Sequence, residues 1–522
     1  MAPAWLKDAV FYEIYPQSFC DSNGDGIGDI PGIISKLDYV KSLGCNALWL
    51  NPCFDSPFLD AGYDVRDYKK VAPRYGTNAD LEALFRQAHE KGIRVLLDLV
   101  PGHTSDTHPW FQASAREEPE AEYADRYIWT DNAFARGDGM PFVGGDYPRS
   151  GTYIVNFFKC QPALNYGYRE IHEPWQQPIF APGPMATREA IKDVMRFWLA
   201  RGCDGFRVDM AESLVKNDGN DHLGTMTVWR DIIGAVRAEY PDMALISEWN
   251  RPELALNCGF DMDFYLSWHG NGYSNLVRDY VLDRNGRLTA PDNSYFKLDS
   301  DRDASCLLSD YLPRYEATRD KGLWCFLTCN HDTPRIAPFL DETERRLAFA
   351  FLLTMPGAPF LYYGDEIGMR YRWLPTKEGG YHRTGARTPM QWSRGKNLGF
   401  SQAEAEALYL PVEPEADAPT VEAQEQDENS FLHHVRGLIA LRHSLEDLQN
   451  YSPFRVYSAE NGSRLFAYKR GGLLLAVNPG MEPLELTVDG RYRMVYFIGA
   501  PELGGSRLTM PRQSFAVLQP ER

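Results

Sequence analysis

The chain has 522 residues, with 54 basic and 72 acidic side chains and a formal net charge of −18. Hydrophobic residues make up 44% and aromatic residues 13%, which is typical of a folded protein large enough for several domains. The acidic balance argues against nucleic acid or an anionic membrane surface as a partner, because both select a basic protein face. It suits a small neutral ligand instead.

No apolar run approaches the roughly 18 residues that a membrane-spanning helix needs. The first residues also lack the basic and apolar regions of a signal peptide. The nine cysteines are scattered without the regular spacing of a disulfide framework, which predicts reduced, buried thiols. Together these features predict a cytoplasmic protein.

Short apolar runs alternate with amphipathic, helix-like stretches through most of the chain. The runs lie at residues 9–15, 46–50, 95–100, 205–210, 244–249, 260–264, 326–330 and 358–363. Stretches between them lie at residues 33–43, 78–91, 188–201 and 227–240. Continuous apolar strands separated by helices predict a parallel sheet covered on both faces. Eight such strands predict an α/β protein with a closed (β/α)8 or TIM barrel.

Two parts of the chain depart from this alternation. Residues 103–180 are rich in proline, glycine and aromatic residues, and so long a segment predicts a small inserted domain rather than a loop. After a last helix near residues 430–448, short alternating runs with turn residues predict a C-terminal antiparallel β-sandwich domain. The predicted domains are therefore the barrel (residues 1–102 and 181–450), the inserted domain (103–180) and the C-terminal domain (451–522).

Acidic residues stand at the ends of three predicted barrel strands. Asp209 ends the fourth strand, Glu248 the fifth and Asp332 the seventh. Reactive groups of such barrels lie at the carboxyl ends of the strands. Cleavage of a glycosidic bond needs two carboxyl groups, one to attack the anomeric carbon and one to protonate the departing oxygen. Arg207, on the same strand face as Asp209, would keep that carboxylate ionised.

The strand ends and nearby loops carry the motifs Ala61-Gly62-Tyr63-Asp64, Gly205-Phe206-Arg207-Val208-Asp209, Asn330-His331-Asp332, Tyr363-Gly364-Asp365-Glu366 and Arg387-Thr388-Pro389-Met390-Gln391-Trp392. With the strand that ends at Glu248, these motifs resemble the α-amylase family, glycoside hydrolase family 13, over nearly the whole chain. The last motif resembles the branch of oligo-1,6-glucosidases, α-glucosidases, sucrose isomerases and trehalose synthases. The resemblance implies a retaining, exo-acting α-glucosidase that cleaves short α-linked gluco-oligosaccharides through a covalent glucosyl-enzyme intermediate.

The resemblance also implies roles for individual residues. Asp209 matches the nucleophile, Glu248 the general acid/base and Asp332 the third acid. The residues that match substrate-binding positions are Tyr63, Asp64, His103, Arg207, His331 and Arg387. Among these, Asp64 and Arg387 match a pair that closes the bottom of the pocket. Asp98 is expected to orient His103 and the end of the third strand. The inserted domain and residues 370–383 are expected to form the wall on the leaving-group side.

Oxygen-bearing residues alternate in the loop at residues 21–29, with glycines between them. This pattern suits a hard cation such as Ca²⁺. The loop resembles the structural calcium loop of the same branch, and the implied ligands are Asp21, Asn23, Asp25, the Ile27 carbonyl and Asp29. No phosphate-binding glycine loop is present, and no organic cofactor is expected.

Met210 and the pair Glu212 and Ser213 depart from the family pattern. Met210 follows the nucleophile and fits neither the α-1,4 nor the α-1,6 preference, so linkage stays open. Glu212 and Ser213 replace a Lys-His pair of starch-cleaving members, which makes long starch a poor candidate. We hypothesise that Glu212 hydrogen-bonds the leaving group and favours an unusual or amine-bearing one.

Three other functions remain open from the sequence. An isomerase or transglycosidase would use the same catalytic residues, with a sugar instead of water capturing the intermediate. A phosphorylase would use phosphate, although no additional basic cluster supports this. A non-catalytic family member would only bind sugar. The oligomeric state is left open.

Overall fold

The computed structural model describes residues 2–283, 287–378 and 383–521. Residues 379–382, part of the stretch expected to form the leaving-group wall, lie outside the described residues. No helix in the described ranges has the length and apolar composition that crossing a bilayer requires.

Eight parallel strands form the central sheet. Their bounds are β1 Phe11–Ile14, β2 Ala47–Leu50, β3 Arg94–Leu99, β4 Gly205–Val208, β5 Ala244–Ser247, β6 Met262–Phe264, β7 Leu323–Cys325 and β8 Phe360–Tyr362. The strand order is β7-β6-β5-β4-β3-β2-β1-β8. The sheet closes between its edges, because the Phe360 amide donates to the Phe326 carbonyl at 3.0 Å and Leu327 forms a parallel bridge to Phe360. The predicted (β/α)8 barrel is therefore confirmed.

The apolar runs mark the barrel strands because these strands are buried on both faces. The seventh run was placed too late: its predicted bounds, residues 326–330, begin where β7 ends. The ladder between β6 and β7 stops at Cys325. Beyond that residue the backbone of Phe326, Leu327 and Thr328 pairs with Phe360 of β8 without forming a regular strand.

Helices connect the strands and cover the barrel. The α-helices of the barrel region and its continuation are Ile30–Ser35, Leu37–Leu43, Asn78–Glu90, Pro182–Leu199, Leu223–Glu239, Pro252–Ala255, Gly272–Val277, Ser305–Thr318, Glu342–Thr354, Val421–Glu425 and Phe431–Ser444. Capping boxes start two of them, with Thr77 and Asp80 at one and Asp341 and Glu344 at the other. The predicted helix at residues 33–43 is two helices that meet at Lys36.

The segment between β3 and the helix Pro182–Leu199 contains little regular structure. It has one short helix, Pro109–Ser114, and a hairpin of Phe142–Gly144 with Thr152–Ile154. A small core of its own packs Ile128 and Ile154 against Ala163 and Tyr168. A bridge from His103 to Ala163 ties the segment to the carboxyl end of the barrel, where the predicted acids stand.

The C-terminal part forms two antiparallel sheets. The larger contains Phe454–Ser458, Phe466–Arg470, Leu473–Asn478, Ser514–Pro520 and Tyr492–Ile498 in that order. The smaller contains Leu484–Thr487, Arg507–Met510 and Glu502–Gly504. Apolar side chains of both sheets, such as Leu474 and Leu508, share one core. This is the β-sandwich that the alternating sequence predicted.

Candidate active site

A cavity of about 200 Å³ opens at the carboxyl end of the barrel and contains all three strand-end acids. Its lining residues are Asp60, Tyr63, His103, Phe157, Asp209, Met210, Glu212, Glu248, Leu266, Trp268, Asp332 and Arg383. This volume is below the usual range of ligand pockets, so the cavity suits a small ligand. A larger cavity of about 920 Å³, next to the helix Pro182–Leu199, contains none of the three acids among its lining residues.

Sheet hydrogen bonds place the first two acids side by side. The Asp209 amide donates to the Leu99 carbonyl at 2.8 Å, and the Glu248 amide donates to the Val208 carbonyl at 3.0 Å. The ladder between neighbouring strands thus continues just past the strand ends. Both carboxyl groups are consequently held by rigid backbone instead of by a flexible loop.

One guanidinium group bridges the acids. Arg207 Nη1 lies 2.7 Å from Asp98 Oδ1 and 3.0 Å from Asp209 Oδ1, and Arg207 Nη2 lies 2.7 Å from Glu248 Oε2. The Arg207 side chain is 1% exposed, so these charge-assisted bonds operate away from bulk water. Arg207 therefore holds Asp209 and Glu248 together, whereas the sequence predicted a contact of Arg207 with Asp209 alone.

The carboxyl groups around Arg207 carry more negative charge than one guanidinium can neutralise. Burial raises the pKa of Asp98 to about 6, against the opposing effect of Arg207. Burial also raises the pKa of Asp209 well above its usual range, and the Glu248 and Asp98 carboxylates add to this. Arg207 lowers both pKa values without fully offsetting the effect of burial.

The third acid stands in a different electrostatic environment. Asp332 Oδ1 accepts from Arg387 Nη2 at 2.7 Å and from Arg383 Nη1 at 3.0 Å. Burial alone would raise the pKa of Asp332, but His331 and the two guanidinium groups together outweigh it and hold the pKa below its usual range. Asp332 is therefore a fixed carboxylate, suited to bind sugar hydroxyls and to stabilise positive charge at the anomeric carbon.

Asp60 and Arg383 both line the cavity, and they form an ion pair that sequence reasoning missed. The expected pair, Asp64 with Arg387, does not form. Asp64 instead accepts from Ser56 Oγ and from the backbone amides of residues 59 and 60. Arg387 divides its bonds between Asp332 and Glu378. Asp64 therefore stabilises the loop from which Asp60 reaches the cavity.

Tyr63 and His331 form a stacked pair, with ring centroids 5.3 Å apart. The Tyr63 hydroxyl donates to Asp98 Oδ2 at 3.0 Å and lies 2.7 Å from His331 Nε2. His331 Nδ1 lies 2.9 Å from Glu13 Oε1. Tyr63 thereby presents a fixed aromatic face to the cavity, where the C–H face of a sugar ring can pack. Glu13 was missed, although a carboxylate inside the apolar first strand was a signal for a buried role.

His103 lines the cavity, but Asp98 does not orient it. The His103 Nε2 proton is donated to the Tyr63 carbonyl at 3.1 Å, and Nδ1 accepts from Asn156 Nδ2 at 3.2 Å. Asp98 instead accepts from Trp49 Nε1, Tyr63 and Arg207. Burial lowers the pKa of His103 to about 3, so the ring is neutral at physiological pH.

Of the six predicted substrate contacts, Tyr63 and His103 line the cavity. The other four are buried behind its wall and position the lining groups; they are Asp64, Arg207, His331 and Arg387. Lining residues that sequence reasoning did not assign are Asp60, Leu266 and Trp268, whereas Phe157 and Arg383 belong to the two segments expected to form the leaving-group wall. Nothing in the local sequence of Phe157 or Trp268 distinguishes them from ordinary loop aromatics.

Met210 contributes through its backbone as well as its side chain. Its φ of 40° lies in the left-handed region, which is unfavourable for a residue with a side chain. In this conformation the Met210 amide donates to Glu248 Oε2 at 3.1 Å. The strained backbone at Met210 therefore helps to orient Glu248, a role that the sequence did not indicate.

The alternating residues of the loop at 21–29 turn their oxygens toward their own backbone. Asp21 Oδ1 accepts from the amides of Asn23 and Gly24, and Asp21 Oδ2 from that of Gly26. Asn23 and Asp25 each accept from the amide two residues later. Asp29 caps the helix Ile30–Ser35. The loop is thus a tight oxygen-rich turn at the start of the barrel.

A parallel barrel with three carboxyl groups in one strand-end cavity defines the class of barrel enzymes that act on glycosidic bonds. Residues 13–450 match the family model described as the catalytic domain of α-amylase. The chain belongs to this family, glycoside hydrolase family 13, and it is an enzyme of the glycoside hydrolase and transglycosidase type.

The similar proteins include enzymes named as glucosidases and enzymes named as synthases. The trehalose synthase/amylase of Mycolicibacterium smegmatis is 34% identical, covering 89% of this chain and 80% of the relative. An oligo-1,6-glucosidase of Halalkalibacterium halodurans is 32% identical, covering 91% and 90%. Among solved structures, an isomaltulose synthase mutant from Erwinia rhapontici, in complex with its natural substrate sucrose, aligns with a TM-score of 0.80 at 25% identity over the full length of both chains.

Proposed function

We propose that the protein is a retaining, exo-acting α-glucosidase that hydrolyses short, neutral α-linked gluco-oligosaccharides. The observation that carries the proposal is the bridge from Arg207 to both Asp209 and Glu248, which joins a nucleophile and an acid/base in one small cavity. Asp209 would attack the anomeric carbon while Glu248 protonates the leaving oxygen, and water deprotonated by Glu248 would then release α-glucose.

The exo-acting part of the proposal takes the Asp60–Arg383 ion pair of the lining as the closed inner end of the cavity. Asp60 and Arg383 bond across it, and Arg383 is bonded in turn to Asp332. A sugar chain entering from the open side would stop there, so only its terminal glucose would reach the acids. Trp268, which is 52% exposed, and Phe157 offer apolar surface along the wall for the next sugar.

A second candidate is an isomerase or transglycosidase, favoured by the trehalose synthase and isomaltulose synthase among the relatives. The covalent intermediate would be the same, but a sugar hydroxyl rather than water would attack it. The outcome depends on how well the cavity excludes water while the leaving sugar stays bound.

A proton NMR time course separates the two candidates. The enzyme would be given a mixture of α-linked glucose disaccharides and sucrose, with Asp209→Asn as the inactive control. For the hydrolase we expect α-glucose as the first product, before mutarotation, and only with the wild-type enzyme. A new glycosidic anomeric signal in place of free glucose would establish the isomerase or transglycosidase. First release of β-glucose would refute a retaining hydrolase.

We also propose that the loop at residues 21–29 binds a structural Ca²⁺. The donor set fits a hard cation, because it consists of carboxylate, amide and carbonyl oxygens. No three His, Cys, Asp or Glu side chains of the described ranges are assembled for a metal, so the ion would also need the Asn23 amide and the Ile27 carbonyl. The ligands would be Asp21, Asn23, Asp25, the Ile27 carbonyl and Asp29, and the role would be stability alone.

Chelation should therefore lower the thermal midpoint without removing activity below that temperature. We expect EDTA to lower the midpoint of the wild-type protein by a few degrees, and added Ca²⁺ to restore it, because a ligand that binds only the folded state stabilises it. Asp25→Ala is the matched variant, and its midpoint should not respond to either addition. Equal midpoints of the wild-type protein with EDTA and with Ca²⁺ would refute the site.

A cytoplasmic location is also proposed. Its support is that all nine cysteines are unpaired, which suits a reducing compartment.

A further inference from the structure

Glu212 is a carboxyl group in the cavity wall to which the proposed reaction assigns no role. It lies in the short 3-10 segment Ala211–Ser213, three residues after the nucleophile. Its Oε2 atom is buried and has no hydrogen-bond partner among the described residues. Because an unsatisfied buried carboxyl oxygen is unfavourable, this atom is available for a donor on a bound ligand.

The nearby lysine does not satisfy Glu212. Lys216 is buried, but its Nζ donates to Asn156 Oδ1 at 2.9 Å and to the Ser213 carbonyl at 2.5 Å. Its charge reaches Glu212 only through space. The carboxyl group therefore faces the cavity while the ammonium group is bound to the inserted domain and the backbone.

Glu212 follows a segment that is bonded to Glu248, because the Met210 amide donates to Glu248 Oε2 at 3.1 Å and the Ala211 amide donates to the Glu248 carbonyl at 3.3 Å. Burial, followed by the Glu248 carboxylate, raises the pKa of Glu212 to about 7, while Lys216 and Arg207 oppose the rise. Since Glu248 must stand beside the leaving oxygen to protonate it, Glu212 stands beside the leaving sugar.

The charge of the lining makes that side attractive to a cation. Five of the described lining residues are acidic: Asp60, Asp209, Glu212, Glu248 and Asp332. Arg383 is the lining guanidinium of the described set, and it is bonded to Asp60 and Asp332 at the inner end. Glu248 is held by Arg207 from behind the wall, so Glu212 has no bonded cation of its own.

We propose that Glu212 selects the leaving sugar, and that the favoured leaving sugar carries an ammonium group, as an aminosugar does. The inference rests on the proposed glucosyl chemistry. In that step the bond from the anomeric carbon to the leaving oxygen breaks, its electron pair stays on this oxygen, the oxygen takes the Glu248 proton, and Asp209 forms the ester. Glu212 transfers nothing; it accepts a charge-assisted hydrogen bond from the ammonium group.

The experiment compares two substrates in one tube. The first is the glucose disaccharide that the enzyme consumes fastest, and the second is its analogue with an amino group at C2 of the leaving sugar. Mass spectrometry of the mixture gives the ratio of their kcat/KM values directly. The N-acetylated analogue, which has the same position occupied without a charge, serves as the control substrate.

In the wild-type enzyme we expect the ratio to favour the amine by about tenfold, since a charge-assisted bond in a buried site is stronger than a neutral one. Glu212→Gln keeps the shape but removes the charge, and its ratio should fall close to one. Glu117→Gln removes an exposed charge elsewhere and should keep the wild-type ratio. For the N-acetyl analogue, the kcat/KM ratio to the parent disaccharide should be the same in the wild-type enzyme and in Glu212→Gln.

The results distinguish a failure of the role proposed for Glu212 from a failure of the proposed glucosidase function. A wild-type enzyme that consumes the parent disaccharide but does not favour the amine would overturn the role of Glu212. The same follows if Glu212→Gln keeps the wild-type preference. If the wild-type enzyme consumes no α-glucoside at all, the proposed function fails instead, and the two failures are therefore distinct.

Discussion

Replacing Asp209 with glycine should reduce the turnover of α-glucosyl fluoride by about 10⁴-fold or more, because loss of a covalent nucleophile removes the low-energy route. Azide should then restore part of the rate. It would enter the space left by the carboxylate, attack from the β face and give β-glucosyl azide.

Glu248→Ala should give the opposite anomer under the same conditions. Fluoride leaves without a proton, so Asp209 still forms its β-linked ester with the glucosyl group. Azide needs no general base and would attack this ester from the α face, which gives α-glucosyl azide. The two variants are thus a matched pair in which each carboxyl group is removed while the other remains on its own strand end.

Asp332→Ala is the control for a carboxylate that is needed but does not react. Its rate should fall without any azide adduct, because both reacting carboxyl groups remain. The wild-type enzyme with azide should give glucose as its main product. NMR of the isolated adducts identifies the anomers. The same anomer from both reacting variants, or exchanged anomers, would contradict the roles given to Asp209 and Glu248.

The sequence predicted the barrel because its strands are buried on both faces, so apolar runs mark where they lie. It placed Asp209 and Glu248 well because a residue one step past a strand end is located by the strand itself. The seventh strand was misplaced because the apolar run continues past Cys325, where the ladder with β6 has already ended. Pattern alone does not report which neighbour a strand residue contacts.

The Asp60–Arg383 ion pair was harder to predict because it also depends on which residues the fold brings together. Asp64 lies in a recognisable motif, but its carboxylate is used by local backbone amides, as is common for short acidic side chains in turns. Asp60 and Arg383 pair across a long separation in sequence, and such partners are set by the fold rather than by spacing. The exposed Trp268 was missed because exposure at a cavity mouth has no sequence signature.

Replacing Arg207 with methionine should lower the free energy of unfolding by about 3–5 kcal/mol, because it leaves buried carboxylates without their counter-charge. Arg207 is 1% exposed and bonds Asp98, Asp209 and Glu248 at once. Methionine fills a similar volume, so the loss reports charge more than packing. Activity should also fall, since both reacting groups lose the bond that spaces them.

The loss of unfolding free energy caused by Arg207→Met should grow as the pH rises. Arg207 lowers the pKa values of Asp98 and Asp209, so without it burial raises both further. Raised carboxyl pKa values mean that the folded state binds protons more tightly than the unfolded state, so stability falls as pH rises from about 4 through the folded pKa values. We therefore expect a smaller deficit near pH 5 than near pH 8.

Urea unfolding followed by tryptophan fluorescence at these two pH values measures the effect. The matched control is Arg201→Met, because Arg201 is 36% exposed and pairs with Glu82 at the surface. An exposed pair of this kind contributes less than about 1 kcal/mol, and its loss should be nearly the same at both pH values. If Arg207→Met behaved like this control, the guanidinium would not neutralise the acids, and the catalytic spacing would have to come from the strand ends alone.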